Sequence, residues 1–368
     1  MKVGVLLVRL HYFLLNAVLV LLRKLLFRKI KSDASNILIV RKGNLGDLIC
    51  SFPAFEAIKS NFPHATIDIL TTHGTQSDIG VTSVIPHGYF HQMYEYRSFT
   101  VRSLFALLKQ NKYDTVIELP PDVDTFWNQV RNMVFFRLAG IKSGGGWTIT
   151  RSGFLKKTQL RHVTFDTEQQ RLQKILKSCG IDAGINQYPA LFSSADLAVV
   201  RKKITIDTSG KLVAIAVGAK LDKKKWPLAY VKTVAQFLIN NQYTLVAVGN
   251  VSDHAAVESL GIEAIQNTCG QLSIAESAAL LSLCSFTICN DSGPMHVSYA
   301  VGTPVYAIFS ARNYRGKWNP PADGKNSLFV NYQVPCAGCM NAPCSDNICM
   351  KQITPEQVIQ SIALNLQE

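Results

Sequence analysis

The stretch Asn36-Ile-Leu-Ile-Val-Arg-Lys-Gly-Asn-Leu-Gly-Asp47 decides the fold class. Ile37–Val40 is an unbroken apolar run rather than an alternating one, which is the signature of a strand buried on both faces in a parallel sheet. Arg41–Asp47 reads as a loop with two glycines. A helical pattern follows over Leu48–Lys59, with Pro53 early enough in it for a missing N–H to be tolerated. Working outward, Thr66–Leu70 and Thr115–Leu119 are further strand candidates. Ser103–Lys109, Phe126–Leu138 and Glu168–Ser178 read as helices. After a weakly patterned stretch over residues 180–210 the alternation restarts. Strands are expected at Leu212–Val217, Tyr243–Val248, Phe286–Cys289 and Pro304–Phe309, and helices at Leu228–Ile239, Ile274–Leu283 and Met295–Ala300. Alternation of this kind predicts α/β architecture with parallel sheets, in two Rossmann-like halves. Ligands of such sheets sit beyond the carboxyl ends of the strands, so a cleft between the halves is the expected site. The boundaries predicted are 33–185 for the first half, 186–350 for the second, and a closing segment over 351–368.

Composition narrows the function classes. The chain has 368 residues, 48% of them hydrophobic, enough apolar surface to exclude long disorder. Nine cysteines in that length exclude a disulfide scaffold. The net charge is +13. It is concentrated at the start, where residues 1–40 hold seven Lys and Arg against Asp33 alone. Basic residues interleaved with aromatics are absent beyond that segment, which argues against a nucleic-acid partner. Residues 1–32 carry an uncharged run, Leu10–Leu22, too short to span a bilayer. The expectation is an amphipathic helix lying on a membrane surface, with Arg23, Lys24, Arg28, Lys29 and Lys31 facing anionic headgroups. A helix packed on the protein body is the alternative.

Three motifs carry chemistry. In Arg41-Lys-Gly-Asn-Leu-Gly-Asp47, Gly43 and Gly46 let backbone approach a ligand, and Asp47 is either a helix N-cap or a general base; the residue type alone favours the cap. Asn290-Asp-Ser-Gly-Pro-Met-His296 follows a strand and opens a helix, the arrangement that cradles a diphosphate on free N–H groups. Ser292 and the amides near Gly293 would hold the anion, and His296 is either a donor to it or a half-buried structural histidine. Lys223-Lys-Lys-Trp-Pro227 is either a diphosphate contact or a solvated turn. Two further patterns invite metal readings. Asp122-Val-Asp124 precedes a helix start, so capping is favoured over a cation. Cys336, Cys339, Cys344 and Cys349 are spaced irregularly for structural zinc or a cluster; a disulfide is a further alternative, and plain thiols are favoured.

Taken in order, Arg41–Asp47 with Pro53, Lys224-Lys-Trp-Pro227, Gly249 with Asp253, and Asn290–His296 with Gly302-Thr-Pro304 resemble the bacterial lipopolysaccharide heptosyltransferase family, glycosyltransferase family 9, over residues 36–365. The resemblance implies a GT-B fold, two Rossmann-like domains with a cleft between them and a final helix over 351–368 that packs back on the first, here with an added N-terminal hydrophobic and basic helix. It implies inverting transfer of heptose from ADP-heptose to the lipopolysaccharide inner core, at the cytoplasmic face of the bacterial inner membrane, without a metal or other cofactor. Asp47 then matches the catalytic base. Lys224, Asp253, Asp291, Ser292, Gly293 and His296 match the donor site, and Lys42, Gly43, Asn44 and Gly46 form the acceptor-side loop. Glu118-Leu-Pro-Pro-Asp122 departs from the family's acceptor-side sequence. The alternatives are another nucleotide sugar or acceptor, or a non-catalytic nucleotide-sugar-binding protein.

Overall fold

Parallel strands stripped of water on both faces must be continuous in apolar residues, and the central strands here are. The computed structural model describes residues 2–72, 81–122, 124–149, 163–184, 186–205, 211–340, 344 and 346–365. By internal contacts the chain forms two units, Met1–Gln159 with Asp166–Pro189, and Leu160–Phe165 with Ala190–Glu368.

In the first unit, β1 (Asn36–Arg41), β2 (Thr66–Thr71), β3 (Met93–Glu95), β4 (Thr115–Leu119) and β5 (Ser143–Gly145) form a sheet of order β3-β2-β1-β4-β5. Every pairing is parallel. Strand β1 is therefore central, and its Val40 and Arg41 stand beside Glu118 and Leu119 at the carboxyl edge. The short edge strands β3 and β5 lack a long apolar run, which is why their sequence is silent. The helix expected over Leu48–Lys59 is instead two, α2 (Leu45–Ile49) and α3 (Phe52–Asn61). Pro53 has no N–H to donate back into a continuous helix, so the chain breaks before it and restarts with Ser51 as cap. Helices α4 (Val101–Asn111) and α5 (Phe126–Leu138) cover one face.

The N-terminal segment forms α1 (Lys2–Leu26), and one of its faces is packed on the body of the protein. Leu19 is fully buried, and Leu15, Leu22 and Leu26 join it against α5 and the sheet. Asn16 donates through Nδ2 to the Ile149 carbonyl at 2.8 Å, and Arg23 donates to the Gly144 carbonyl at 2.9 Å. Phe27 stacks at 4.6 Å on Trp147. No helix among the described residues is long and apolar enough to cross a membrane.

The second unit has β6 (Leu212–Ala216), β7 (Thr244–Ala247), β8 (Ile265–Asn267), β9 (Phe286–Asn290), β10 (Val305–Phe309) and β11 (Ser327–Val330), ordered β11-β10-β9-β6-β7-β8 and all parallel. A helix over Ser194–Lys203, inside the stretch read as weakly patterned, packs on helix Ile274–Ser282. The closing helix Pro355–Asn365 corrects the expectation that it packs back on the first half. Val358 and Ile362 are fully buried in the second core, against helix Leu228–Asn240. The chain reaches that core early, because Trp226 donates its indole N–H to the Ile353 carbonyl at 2.8 Å.

Glu118, the penultimate residue of β4, is almost wholly buried, with Asn132 of α5 donating to Oε1 at 3.0 Å. Burial pushes its pKa from 4.5 to about 7, against the opposing pull of Lys42 and that hydrogen bond. A carboxyl whose folded pKa is raised contributes fully below its unfolded value and loses that contribution as pH climbs to the folded one. Glu118→Gln should therefore match the wild type near pH 4.5 and exceed it by up to about 3 kcal/mol above pH 7, read by urea unfolding. Leu19→Ala should cost about 3 kcal/mol in the same assay, whereas Leu10→Ser, on the exposed side of α1, should change stability by less than about 0.5 kcal/mol.

Candidate active site

At the carboxyl end of β1 the chain turns through Lys42-Gly-Asn44 into α2. Asn44, with extended backbone, is the N-cap, so Asp47 sits at the third helical position rather than at the cap. Its Oδ2 reaches back to accept the Asn44 N–H at 2.9 Å. This geometry explains Gly43, since a Cβ there would lie 2.3 Å from the Asp47 Cβ. The loop is pinned from the far side by Thr72, whose hydroxyl donates to the Gly43 carbonyl at 3.1 Å and accepts its N–H at 3.2 Å. The Lys42 ammonium lies 3.6 Å from the centre of the Tyr96 ring. Asp47 keeps 19% of its side chain exposed.

Beneath the loop lies a group that the sequence reading left without a role. Arg41 is fully buried. Its guanidinium donates to Ser51 Oγ at 2.8 Å, to the Asp47 carbonyl at 3.2 Å and to Glu168 Oε1 at 2.9 Å, and it stands 3.6 Å from Asp47 Oδ1. Glu168 is shared with Arg171, whose Nη2 donates to it at 2.6 Å and to the Pro120 carbonyl at 2.6 Å. The signal available was a charged residue at the inner end of a buried strand. Asp124 is engaged locally, its two oxygens accepting from Thr125, Asn128 and Gln129. The cap of the following helix is Thr125, whose hydroxyl accepts the Asn128 N–H, so the capping role favoured for the Asp-Val-Asp triplet falls to its neighbour.

In the second unit the matched donor residues gather at the carboxyl ends of β6, β7 and β9, three neighbouring strands. Lys224 ion-pairs with Asp291 at 2.6 Å, and Asn313 donates to the same Asp291 oxygen at 2.9 Å. Asn290 ties the loops together. Its Nδ2 donates to the Val217 carbonyl at 2.8 Å, and its Oδ1 accepts the Trp226 N–H at 3.1 Å. The Lys-Trp-Pro motif thus works by anchoring: the buried Trp226 holds the turn that carries Lys224. Asp253 lies where two strand-end glycines make room, since a Cβ on Gly218 would fall 2.3 Å from it and one on Gly249 2.7 Å. Its Oδ2 accepts the Asn250 N–H at 3.0 Å.

Ser292 is the N-cap residue of helix Gly293–Ala300, with Pro294 at its second position, so the N–H groups of Ser292 and Gly293 stand at the helix start where no carbonyl one turn back can accept them. His296 is buried, its Nδ1 2.6 Å from the Tyr299 hydroxyl. Desolvation lowers its pKa to about 4, outweighing the attraction of Asp291, so the ring is neutral at ordinary pH and acts as a hydrogen-bonding group only. Asn290 and Asn313 were missed as site residues. Asn290 stood inside a quoted motif but reads as a turn residue, and Asn313 has no local signal at all.

Cys336, Cys339, Cys344 and Cys349 line one small cavity with Lys223, Arg312 and Asn347. All four are free thiols, and among the described residues no three His, Cys, Asp or Glu side chains are placed to hold a metal ion.

The family model described as glycosyltransferase family 9 (heptosyltransferase) matches residues 101–348. Lipopolysaccharide heptosyltransferase 2 of Escherichia coli strain K12 is 24% identical over 361 residues, covering 90% of this chain and 99% of that one. The solved structure of E. coli ADP-heptose lipopolysaccharide heptosyltransferase II is similar at a TM-score of 0.62 and 18% identity, over 90% of this chain and all of that one. The family 9 glycosyltransferase of Veillonella parvula DSM 2008 is similar at a TM-score of 0.68 and 17% identity, over 93% of this chain and all of that one. Identities this low carry the fold, two parallel α/β sheets of the GT-B type. The family match spans well over half of the sequence, and the chain is a glycosyltransferase belonging to family 9.

Proposed function

We propose that this enzyme transfers a heptose from ADP-heptose to the inner core of lipopolysaccharide, with Asp47 as general base and inversion at the anomeric carbon. The observation that supports it most is the pairing of functions on the two units. One holds a part-exposed carboxylate on a pinned loop at the carboxyl end of its central strand. The other holds a cation, a helix start and neutral donors at the ends of three adjacent strands. The relatives named for heptosyl transfer to lipopolysaccharide supply the sugar and the acceptor class.

In this reading Asp47 takes the proton of the acceptor hydroxyl as that oxygen bonds to the anomeric carbon. The bond from the anomeric carbon to the diphosphate oxygen breaks, and ADP leaves with the electron pair. Arg41 sets the position of the base through the Asp47 carbonyl and through its ion pair with Asp47 Oδ1. The charge developing on the diphosphate meets Lys224 and the N–H groups at Ser292 and Gly293, with His296 supplying a neutral hydrogen bond. No step is assigned to a metal ion or cofactor. Asp253 is assigned to the nucleoside, and Lys42, Gly43, Asn44 and Gly46 to the acceptor side. The acceptor is a membrane lipid, so the place of action is the cytoplasmic face of the inner membrane, to which the exposed side of α1 attaches the enzyme.

Asp47→Asn should lower turnover by about a hundredfold to ten-thousandfold while an ADP-induced rise in melting temperature persists, because a base is lost and the donor site is not. Unchanged turnover would remove Asp47 from its role. Lys224→Met should weaken ADP-heptose binding by about tenfold or more, as expected for losing one charge-assisted contact. A panel of ADP-, UDP-, GDP- and CMP-sugars in the same melting assay tests the donor base. Stabilisation by a non-adenine member alone would overturn the ADP-heptose assignment.

A further inference from the structure

One side of α1 remains apolar and uncovered after the other has packed. Leu7, Leu10, Leu14, Val18, Leu21 and Leu25 follow a spacing of three and four residues, and all are exposed, from 43% at Val18 to 73% at Leu25. An apolar stripe this long on an ordered, docked helix marks an interaction surface. At the end of the stripe a cavity of about 510 Å³ opens. Arg28 and Lys31 line it from the segment after α1, Lys109 and Lys112 from the end of α4, and Lys142 from the turn into β5. Among the described residues none of these five cations is in an ion pair. Two acids share the cavity, Asp33 and Asp114. Asp114 is occupied by the backbone, with Oδ2 accepting the N–H groups of Ser35 at 2.8 Å and Asn36 at 3.0 Å. A second concavity, on the other side of the same segment, is lined by Arg23, Lys24, Arg28, Lys29 and Lys177.

We propose that α1 and these concavities form one preformed docking surface for an anionic phospholipid leaflet, the stripe entering the acyl boundary while phosphate headgroups seat among Arg28, Lys31, Lys109, Lys112 and Lys142. The proposal rests on the membrane attachment in the reading above and adds the headgroup seat, three of whose five cations come from the end of α4 and the turn into β5, far from α1 in sequence. Charge complementarity selects this occupant. A second copy of the chain would set the same cations against themselves, whereas a leaflet supplies apolar depth and negative charge at the required levels together.

Deleting residues 1–32 would remove Leu19 and Phe27 and uncover the core they pack against, so the test keeps the full chain. Co-sedimentation is measured with vesicles of phosphatidylcholine and of phosphatidylcholine mixed with phosphatidylglycerol. Wild type should bind the mixed vesicles and bind phosphatidylcholine far more weakly. The triple variant Lys31→Gln, Lys109→Gln, Lys142→Gln should bind mixed vesicles about a hundredfold more weakly, about fivefold for each cation removed, with an unchanged melting temperature. Leu10→Ser with Leu21→Ser should abolish binding to both. Equal binding of wild type to the two vesicles, or undiminished binding by the triple variant, would overturn the headgroup seat and leave membrane attachment standing. Binding of wild type to neither would overturn both. A wild-type dimer that the serine variant dissolves would assign the stripe to a second copy instead.

Discussion

The first unit depends on two guanidinium groups and one carboxylate held out of water. Arg41 and Arg171 converge on Glu168, and all three are buried. Charges placed there are costly unless every donor is met, and removing one partner of such a set typically costs about 3–5 kcal/mol. The requirement ties together pieces of chain that share nothing locally: the end of β1, the Leu119 and Pro120 carbonyls after β4, Ser51 at the start of α3 and the first turn of helix Glu168–Ser178. The Asp47 loop hangs from that knot through its own carbonyl. A carboxylate that must meet a reacting atom gains from being suspended this way, because its freedom is removed before any ligand arrives.

The second unit solves its positioning problem with neutral groups. Asn290, deep at the end of β9, bonds to backbone from two other loops, and Trp226 locks the lysine-bearing turn to the tail of the chain. Lys224 and Asp291 are paired at its centre. His296 is kept neutral by burial. In the proposed function, Lys224, a helix start and oriented dipoles attract the anion at this edge.

Helix α1 takes the alternative that the sequence left open, packing on the body of the protein, and does so with one side only. Its Leu19 face is part of the core, and its Leu10 and Leu21 side is uncovered. The hydropathy of the segment is the same whichever side packs. What separates the faces is the set of partners on α5 and around Gly144 and Ile149, which become neighbours only on folding.

The parallel α/β class, the two halves and most central elements were legible because a strand buried on both faces must be an unbroken apolar run, and a loop that hugs a carboxylate must contain glycine. Val40, Gly43 and Ile288 announce themselves for these reasons. Asp47, Lys224, Asp291 and His296 stood in motifs and could be named in advance. The edge strands Met93–Glu95 and Ser143–Gly145 could not be, since three residues with one neighbouring strand need no apolar run. Nor could the break before Pro53 or the place of the closing helix, which depend on which surface is left uncovered. The sequence by itself determined the periodicities and the residue types available at each strand end, because these follow from local stereochemistry and the need to bury apolar area. Only the tertiary structure decided that Glu168 neutralises Arg41, that Asn313 joins Asp291 and that lysines from α4 and β5 stand beside α1. Each of these pairings joins residues whose proximity is set by the packing of whole elements, and no local preference encodes it.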